Sequence, residues 1–286
     1  MEEKLRQKLR SLEIKARQLA DNRLVGEWKS NVLGQGLEFR DLRDYVPGDD
    51  IRRLDWKATA RTGKPQLRQF QEERQQTIHL GLDLSASMDF GDKLQYSREL
   101  LTLIGWTAVL QKDRFALTGF TDKIEFSRSP SRGEAQLWSS LQDIFSHETQ
   151  SKKTGFKSLW RHFFQILNHK STVIVISDFY GDPDLPSLKA LAQRHDLWII
   201  HITDPREFAQ GGLVNLMDSE TGEKKWVDTS QKKENHRMGF MSEEERIRFS
   251  LEIRRGGGWY AHFPVTRDPF SGLMEFLKTR ERLLHV

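Results

Sequence analysis

Two short runs carry residue types that could do chemistry. Asp83-Leu-Ser85-Ala-Ser87 follows the apolar run Thr77–Leu82, and Asp178 follows Val173-Ile-Val-Ile-Ser177 and precedes the turn Phe179-Tyr-Gly-Asp182. A carboxylate with two nearby hydroxyls is a set of hard oxygen donors. Such donors suit Mg2+, or Mn2+, with waters completing an octahedron. Both runs end apolar strands, and open α/β sheets gather ligands at the carboxyl ends of their strands. If the two strands are central and adjacent, Asp83 and Asp178 meet over one cleft. The competing reading is plain helix capping, a common use of Asp and Ser.

Other chemistries find little in the chain. There is no Cys among the 286 residues, which excludes disulfides, thiolate zinc sites and a cysteine nucleophile. The nine His form no HExxH and no i, i+4 helical pair, so His195, His201 and His236 read as core or surface residues. Gly34-Gln-Gly36 lacks the form of a phosphate loop, Gly256-Gly-Gly258 reads as a helix stop, and no GxSxG elbow is present. Lys and Arg total 45 against 41 Asp and Glu, a net +4 with the signs interspersed, so dedicated nucleic-acid binding gains little support. No secretory h-region opens the chain and no apolar run reaches the ~18 residues of a membrane span. With no cysteine, this fits a cytoplasmic chain.

The elements that would position the two runs are legible from periodicity. From Gln76 onward, strands alternate with amphipathic helices: strands at Thr77–Leu82, Arg114–Phe120, Thr172–Ile176 and Leu197–Ile202, helices at 93–111, Gln136–Phe145, Ser158–Leu167 and Leu188–Arg194. That alternation predicts an α/β fold, a doubly wound, mostly parallel sheet with helices on both faces. Leu213–Met217 and Lys225–Asp228 flank Ser219-Glu-Thr-Gly222, a hairpin by its turn chemistry. Ser242 and Glu245 make a capping box, Trp259–Pro264 a last strand, and Asp268-Pro269 opens a terminal helix. Residues 3–24 read as a helix with the stripe Leu5, Leu9, Leu12, Ala16 and Leu19, which either docks on its own domain or binds a partner. Residues 30–75 are rich in Gly, Arg and Asp and read as a loop with two short strands. The expected organisation is residues 1–75, the N-terminal helix and an extended segment packed on the main domain, and 76–286, that main domain.

DLSASM, the strand–helix alternation and VISDF resemble a von Willebrand factor type A domain. Gly34 to Arg61, with its EFRDLRDY, PGDDIRR and DWKATAR runs, LGLDLSASMDFG and DSETGE resemble the bacterial "domain of unknown function 58" family over about residues 25–280. The resemblance implies a metal-ion-dependent adhesion site at Asp83, Ser85, Ser87 and Asp178. It also implies partnership with a MoxR-type AAA+ ATPase and a non-enzymatic role. A partner's Asp or Glu would complete the metal's coordination. The adhesion-site pattern also needs a Thr hydroxyl, and aligning on Leu159 puts Lys157, with neighbouring Ser158, in its place; Thr154 serves only if the loop shifts. An ammonium there would repel the cation or occupy its position. Within the signature, Glu38, Asp41, Asp44, Asp49, Asp50 and Asp55 interleave with Arg40, Arg43, Arg52, Arg53, Lys57 and Arg61, as an ion-pair latch or a docking surface. Trp56 would anchor such a surface, though a core position is its simpler reading. Two rivals stand: an Mg2+-dependent phosphotransfer enzyme with Asp83 as nucleophile, weakened because Ser85 sits where a second acid belongs, and nucleic-acid binding through the basic N-terminal helix.

Overall fold

The computed structural model describes residues 2–20, 37–46, 49, 51, 54–72, 76–147, 149, 151, 153–208, 213–217, 224–228 and 241–284. The chain divides into two compact units, residues 32–75 and the remainder. The first helix, α1 (Glu2–Ala20), groups with the main unit rather than with the segment after it.

In the main unit the strands are β3 (Thr77–Asp83), β4 (Arg114–Phe120), β5 (Ile124–Ser131), β6 (Thr172–Ser177), β7 (Asp196–Thr203) and β10 (Trp259–Pro264). They form one sheet in the order β10-β7-β6-β3-β4-β5, parallel except for β5. The central strands are nearly continuous apolar runs because both faces are covered; every residue of β6 and β7 is buried. The chain winds outward from β3 in one direction through β4 and in the other through β6 and β7, so the order reverses between β3 and β6. This is the doubly wound α/β arrangement that the alternation predicts. The antiparallel edge strand β5 was not foreseen. Its sequence, IEFSRSPS, is polar and half-exposed with Pro130 near its end, as an edge tolerates.

Alternate residues of each strand feed two cores. Leu80, Leu82, Ile174, Ile176 and Ile200 pack with α1, α3 (Lys93–Leu110), α4 (Glu134–Ser146) and α8 (Pro269–Leu284). Val173, Val175, Leu197 and Ile199 pack with α5 (Phe156–Ile166), α6 (Leu185–Arg194) and α7 (Glu243–Arg255). Of the stripe on α1, Leu12, Ala16 and Leu19 are buried in the first core, and Gln111 Nε2 donates to the Ala20 carbonyl at 3.0 Å; the side chains of Leu5 and Leu9 lie outside the described residues. The capping box at Ser242 and Glu245 is present. A second two-stranded sheet pairs β8 (Leu213–Met217) with β9 (Lys224–Asp228); the Ser219–Gly222 turn expected between them lies outside the described residues.

The smaller unit pairs β1 (Leu37–Asp44) antiparallel with β2 (Gln66–Glu72). Between them stands α2 (Trp56–Thr62), a short helix within a stretch whose sequence shows no helical stripe. Asp55 caps it, accepting from the Lys57 and Ala58 amides, and Gly63 ends it at φ 72°, where a side chain would be strained. Arg43 grips Asp49 through two bonds of 2.7 Å, and Gln66 donates to Asp44 at 2.6 Å. These bonds brace the smaller unit internally; Asp50, Arg52 and Arg53 lie outside the described residues. Trp56 does not take the core position that was its simpler reading: it is 71% exposed.

Candidate functional site

Asp83 and Asp178 sit at the carboxyl ends of β3 and β6, the pair between which the sheet order reverses. Leu84 leaves the sheet with its amide bonded to the Phe120 carbonyl at 2.8 Å, and the chain turns through a short 3-10 stretch, Ala86–Asp89. Gly91 then adopts φ 61°, where a Cβ would run into the Asp204 carboxylate and the Arg206 guanidinium. α3 begins two residues later.

The expected residues form one connected cluster. Asp83 Oδ1 accepts from the Ser85 amide at 2.9 Å, and Asp83 Oδ2 accepts from Ser177 Oγ at 2.6 Å. The Ser85 and Ser87 hydroxyls bond each other at 3.0 Å, and Ser87 Oγ donates to Asp178 Oδ1 at 3.2 Å. Ser177 also accepts from the Phe179 amide at 2.8 Å. Phe179 itself holds a left-handed backbone (φ 50°), kept there by its ring, which is fully buried and stacked on Phe156 at 5.1 Å. Asp83 and Ser85 have no exposure, Ser87 has 2% and Asp178 has 7%. The expected cleft is therefore a nearly closed cluster that reaches solvent mainly at Asp178.

Two further members escaped the sequence reading. Lys93, the first residue of α3, is fully buried and puts its Nζ 2.5 Å from Asp178 Oδ2. The same ammonium bonds Glu207, on the 3-10 turn Pro205–Phe208 that follows β7. The ring of Phe90, at the rim, lies 5.8 Å from it. A lysine in the first turn of a helix opposes the helix dipole and signals a special partner. Above this pair, Arg206 joins Asp204 and Asp92, both at 2.5 Å, tying the start of α3 to the segment after β7.

Electrostatics follow from burial. Desolvation, followed by the charge of Asp178, pushes the Asp83 carboxyl up to about 7, although the bonds from Ser177 and Ser85 pull it back. Burial alone would lower the Lys93 ammonium, but Asp178 and Glu207 outweigh it and hold it above the ordinary lysine value. Burial raises Glu207 despite its lysine partner. Arg206 holds Asp204 down at about 2.

Lys157 lies elsewhere. It is exposed on the first turn of α5 and is not the ammonium at the cluster; that position belongs to Lys93. Ser158 donates to the Gly155 carbonyl at 2.7 Å, a local turn bond, and Thr154 is half-buried. His195 and His201 take core positions, His201 beside the Tyr260 hydroxyl at 2.8 Å, while His236 lies outside the described residues.

Asp83, Ser85, Ser87 and Asp178 are the residues that could hold Mg2+ or Mn2+, but as arranged they do not fit one. Both Asp83 oxygens already accept bonds, the serine hydroxyls are used within the cluster, and an ammonium stands on Asp178. Mg2+ keeps several waters, for which so closed a donor set leaves little space. Among the described residues, no group of three or more His, Asp or Glu is disposed to hold a metal.

A family model described as "Protein of unknown function DUF58" matches residues 41–249. Uncharacterized proteins of Mycobacterium bovis and Mycobacterium tuberculosis are 28% identical over 296 residues, covering 98% of this chain and 90% of theirs. Among solved structures, the conserved hypothetical protein BatB from Bacteroides thetaiotaomicron is similar with a TM-score of 0.47 at 13% identity, over 72% of this chain and 99% of that one. A von Willebrand factor type A protein from Catenulispora acidiphila gives a TM-score of 0.43 at 11% identity, over 87% of this chain and 50% of that one.

Proposed function

The chain belongs to the family described as protein of unknown function DUF58, and from that premise we propose that it is a non-enzymatic protein-interaction module acting in the cytoplasm with a MoxR-type AAA+ ATPase. The closure of the Asp83 cluster carries this reading. A nucleophile must reach its substrate, yet Asp83 has no exposure and both its oxygens accept internal bonds. That weighs against phosphotransfer. Burial of Leu12, Ala16 and Leu19 on α1 weighs likewise against a free helix for nucleic acid. No helix among the described residues is long and apolar enough to cross a membrane.

What the cluster can do is fix the shape of the sheet's carboxyl end. Its rim presents the half-exposed Phe90, together with Asp92 and Arg206. An aromatic flanked by charges of both signs is a composition suited to a docking patch. No step of this reading runs through a metal.

Titrating the full chain with a purified MoxR-type AAA+ ATPase from the same organism tests it. Saturable binding is expected, weakened about tenfold or more by Phe90→Ala. No binding, or binding indifferent to Phe90, would move the partner or the patch elsewhere. Mg2+-dependent hydrolysis of phosphoesters that vanishes in Asp83→Asn would restore the enzyme reading.

A further inference from the structure

Three buried carboxylates converge at the reversal point of the sheet, Asp83, Asp178 and Glu207, with the hydroxyls of Ser85, Ser87 and Ser177 among them. Such a group stays together in low dielectric only if its charge is neutralised, by protonation or by a positive charge. The chain supplies one. Lys93 Nζ is wholly shielded from solvent, bonds two of the three carboxylates, and arrives from a helix start where a cation is otherwise disfavoured. The third, Asp83, accepts from the Ser85 amide and the Ser177 hydroxyl, neither of them a cation.

We propose that the Lys93 ammonium is the resident cation of this cluster, so that the Asp83–Ser85–Ser87–Asp178 set is stable without a divalent metal and takes one up only when Lys93 is removed. A monovalent ammonium on a four-carbon stem does locally what a loosely held divalent ion would do, and it cannot dissociate. A metal and the ammonium would both need Asp178, so they compete for one carboxylate. The proposal is independent of the partner, and binding of an ATPase neither supports nor harms it.

The test uses the full chain, wild type and Lys93→Met, with Mn2+ uptake followed by electron paramagnetic resonance and thermal unfolding followed in EDTA and in Mg2+. Wild type is expected to take up no Mn2+ equivalent at millimolar concentration and to unfold at the same temperature in both buffers. Lys93→Met is expected to unfold earlier in EDTA, to recover in Mg2+, and to bind Mn2+ at least about tenfold more tightly than wild type. Stoichiometric Mn2+ uptake by wild type, with a rise in its unfolding temperature, would overturn the proposal. So would a Lys93→Met protein as stable as wild type in EDTA. If the variant does not fold in EDTA, refolding in Mg2+ replaces the thermal scan, and the wild-type Mn2+ titration decides the matter by itself. Lys93→Arg, which keeps the charge, is expected to remain indifferent to both metals.

Discussion

Opposite ends of the same sheet each bury an ion pair, and they are built differently. At the amino end of β7, Asp196 meets Arg280 of α8 at 2.6 Å, with the guanidinium lying between the rings of Trp198 and Trp259 at 4.9 and 5.2 Å. One cation faces one carboxylate, and aromatic faces do the rest. At the carboxyl end, Lys93 faces Asp178 and Glu207 with Asp83 behind them. The first end is balanced, as a packing device should be. The second gathers more acid than its single base can neutralise, and fold stability alone gives no reason for that surplus. Unbalanced buried charge is what distinguishes a site from a brace.

The largest test of that contrast removes the cations. Lys93→Met and Arg280→Met should each lower stability by about 3–5 kcal/mol, since each strands a buried carboxylate. Their rescue should differ. Arg280→Met with Asp196→Leu replaces a whole pair by apolar groups and should recover most of the loss, whereas Lys93→Met with Asp178→Leu still leaves Asp83 and Glu207 uncompensated. Urea unfolding of the four proteins measures this; equal recovery at both ends would erase the contrast.

Next in size is a pH effect. The Asp83 carboxyl lies at about 7 in the folded chain, well above the ordinary aspartate range near ~3.9. Between those values the folded state holds a proton that the unfolded state has released, so stability falls as pH rises through the window from about 4 to about 7. The slope is at most ~1.4 kcal/mol per pH unit. Asp83→Asn should flatten it; an unchanged slope would place the titrating group elsewhere.

Ser177→Ala sharpens the same end more finely. It removes the donor on Asp83 Oδ2 and the acceptor for the Phe179 amide, and should cost about 1–3 kcal/mol in chemical denaturation. The smallest effect belongs to Lys157→Thr. Its side chain is exposed, so stability should stay within about 0.5 kcal/mol and Mn2+ uptake should not change.

Much of this was legible in the residues themselves. Asp83, Ser85, Ser87 and Asp178 stood out because oxygen donors directly after apolar strands are conspicuous, and parallel neighbours bring such strand ends together. Strands β4 and β10 could be bounded to the residue, since runs such as Arg114–Phe120 are sharply framed. The polar edge strand β5 and the short helix α2 were not legible, because an exposed strand has no apolar alternation to show and seven residues span too few turns for a stripe. Lys93 and Glu207 were missed for another reason. In a chain with 45 basic and 41 acidic residues, a lysine at a helix start stands out only once the helix is in place, and nothing in the sequence marks Lys93 as turning inward. Alignment on Leu159 placed the ammonium at Lys157, but α5 turns that side chain to solvent, and the ammonium at the cluster comes from the start of α3 instead.

The partners of Lys93 lie 85 and 114 residues further along the chain. During synthesis, α3 emerges long before β6 and the turn after β7 exist, so its first residue must wait in water with its charge unmatched. Closure of the sheet's carboxyl end therefore falls late in folding, after the ribosome has released Glu207. Until that moment a newborn chain carries an unfinished rim, which any partner reading that rim would sense as immaturity.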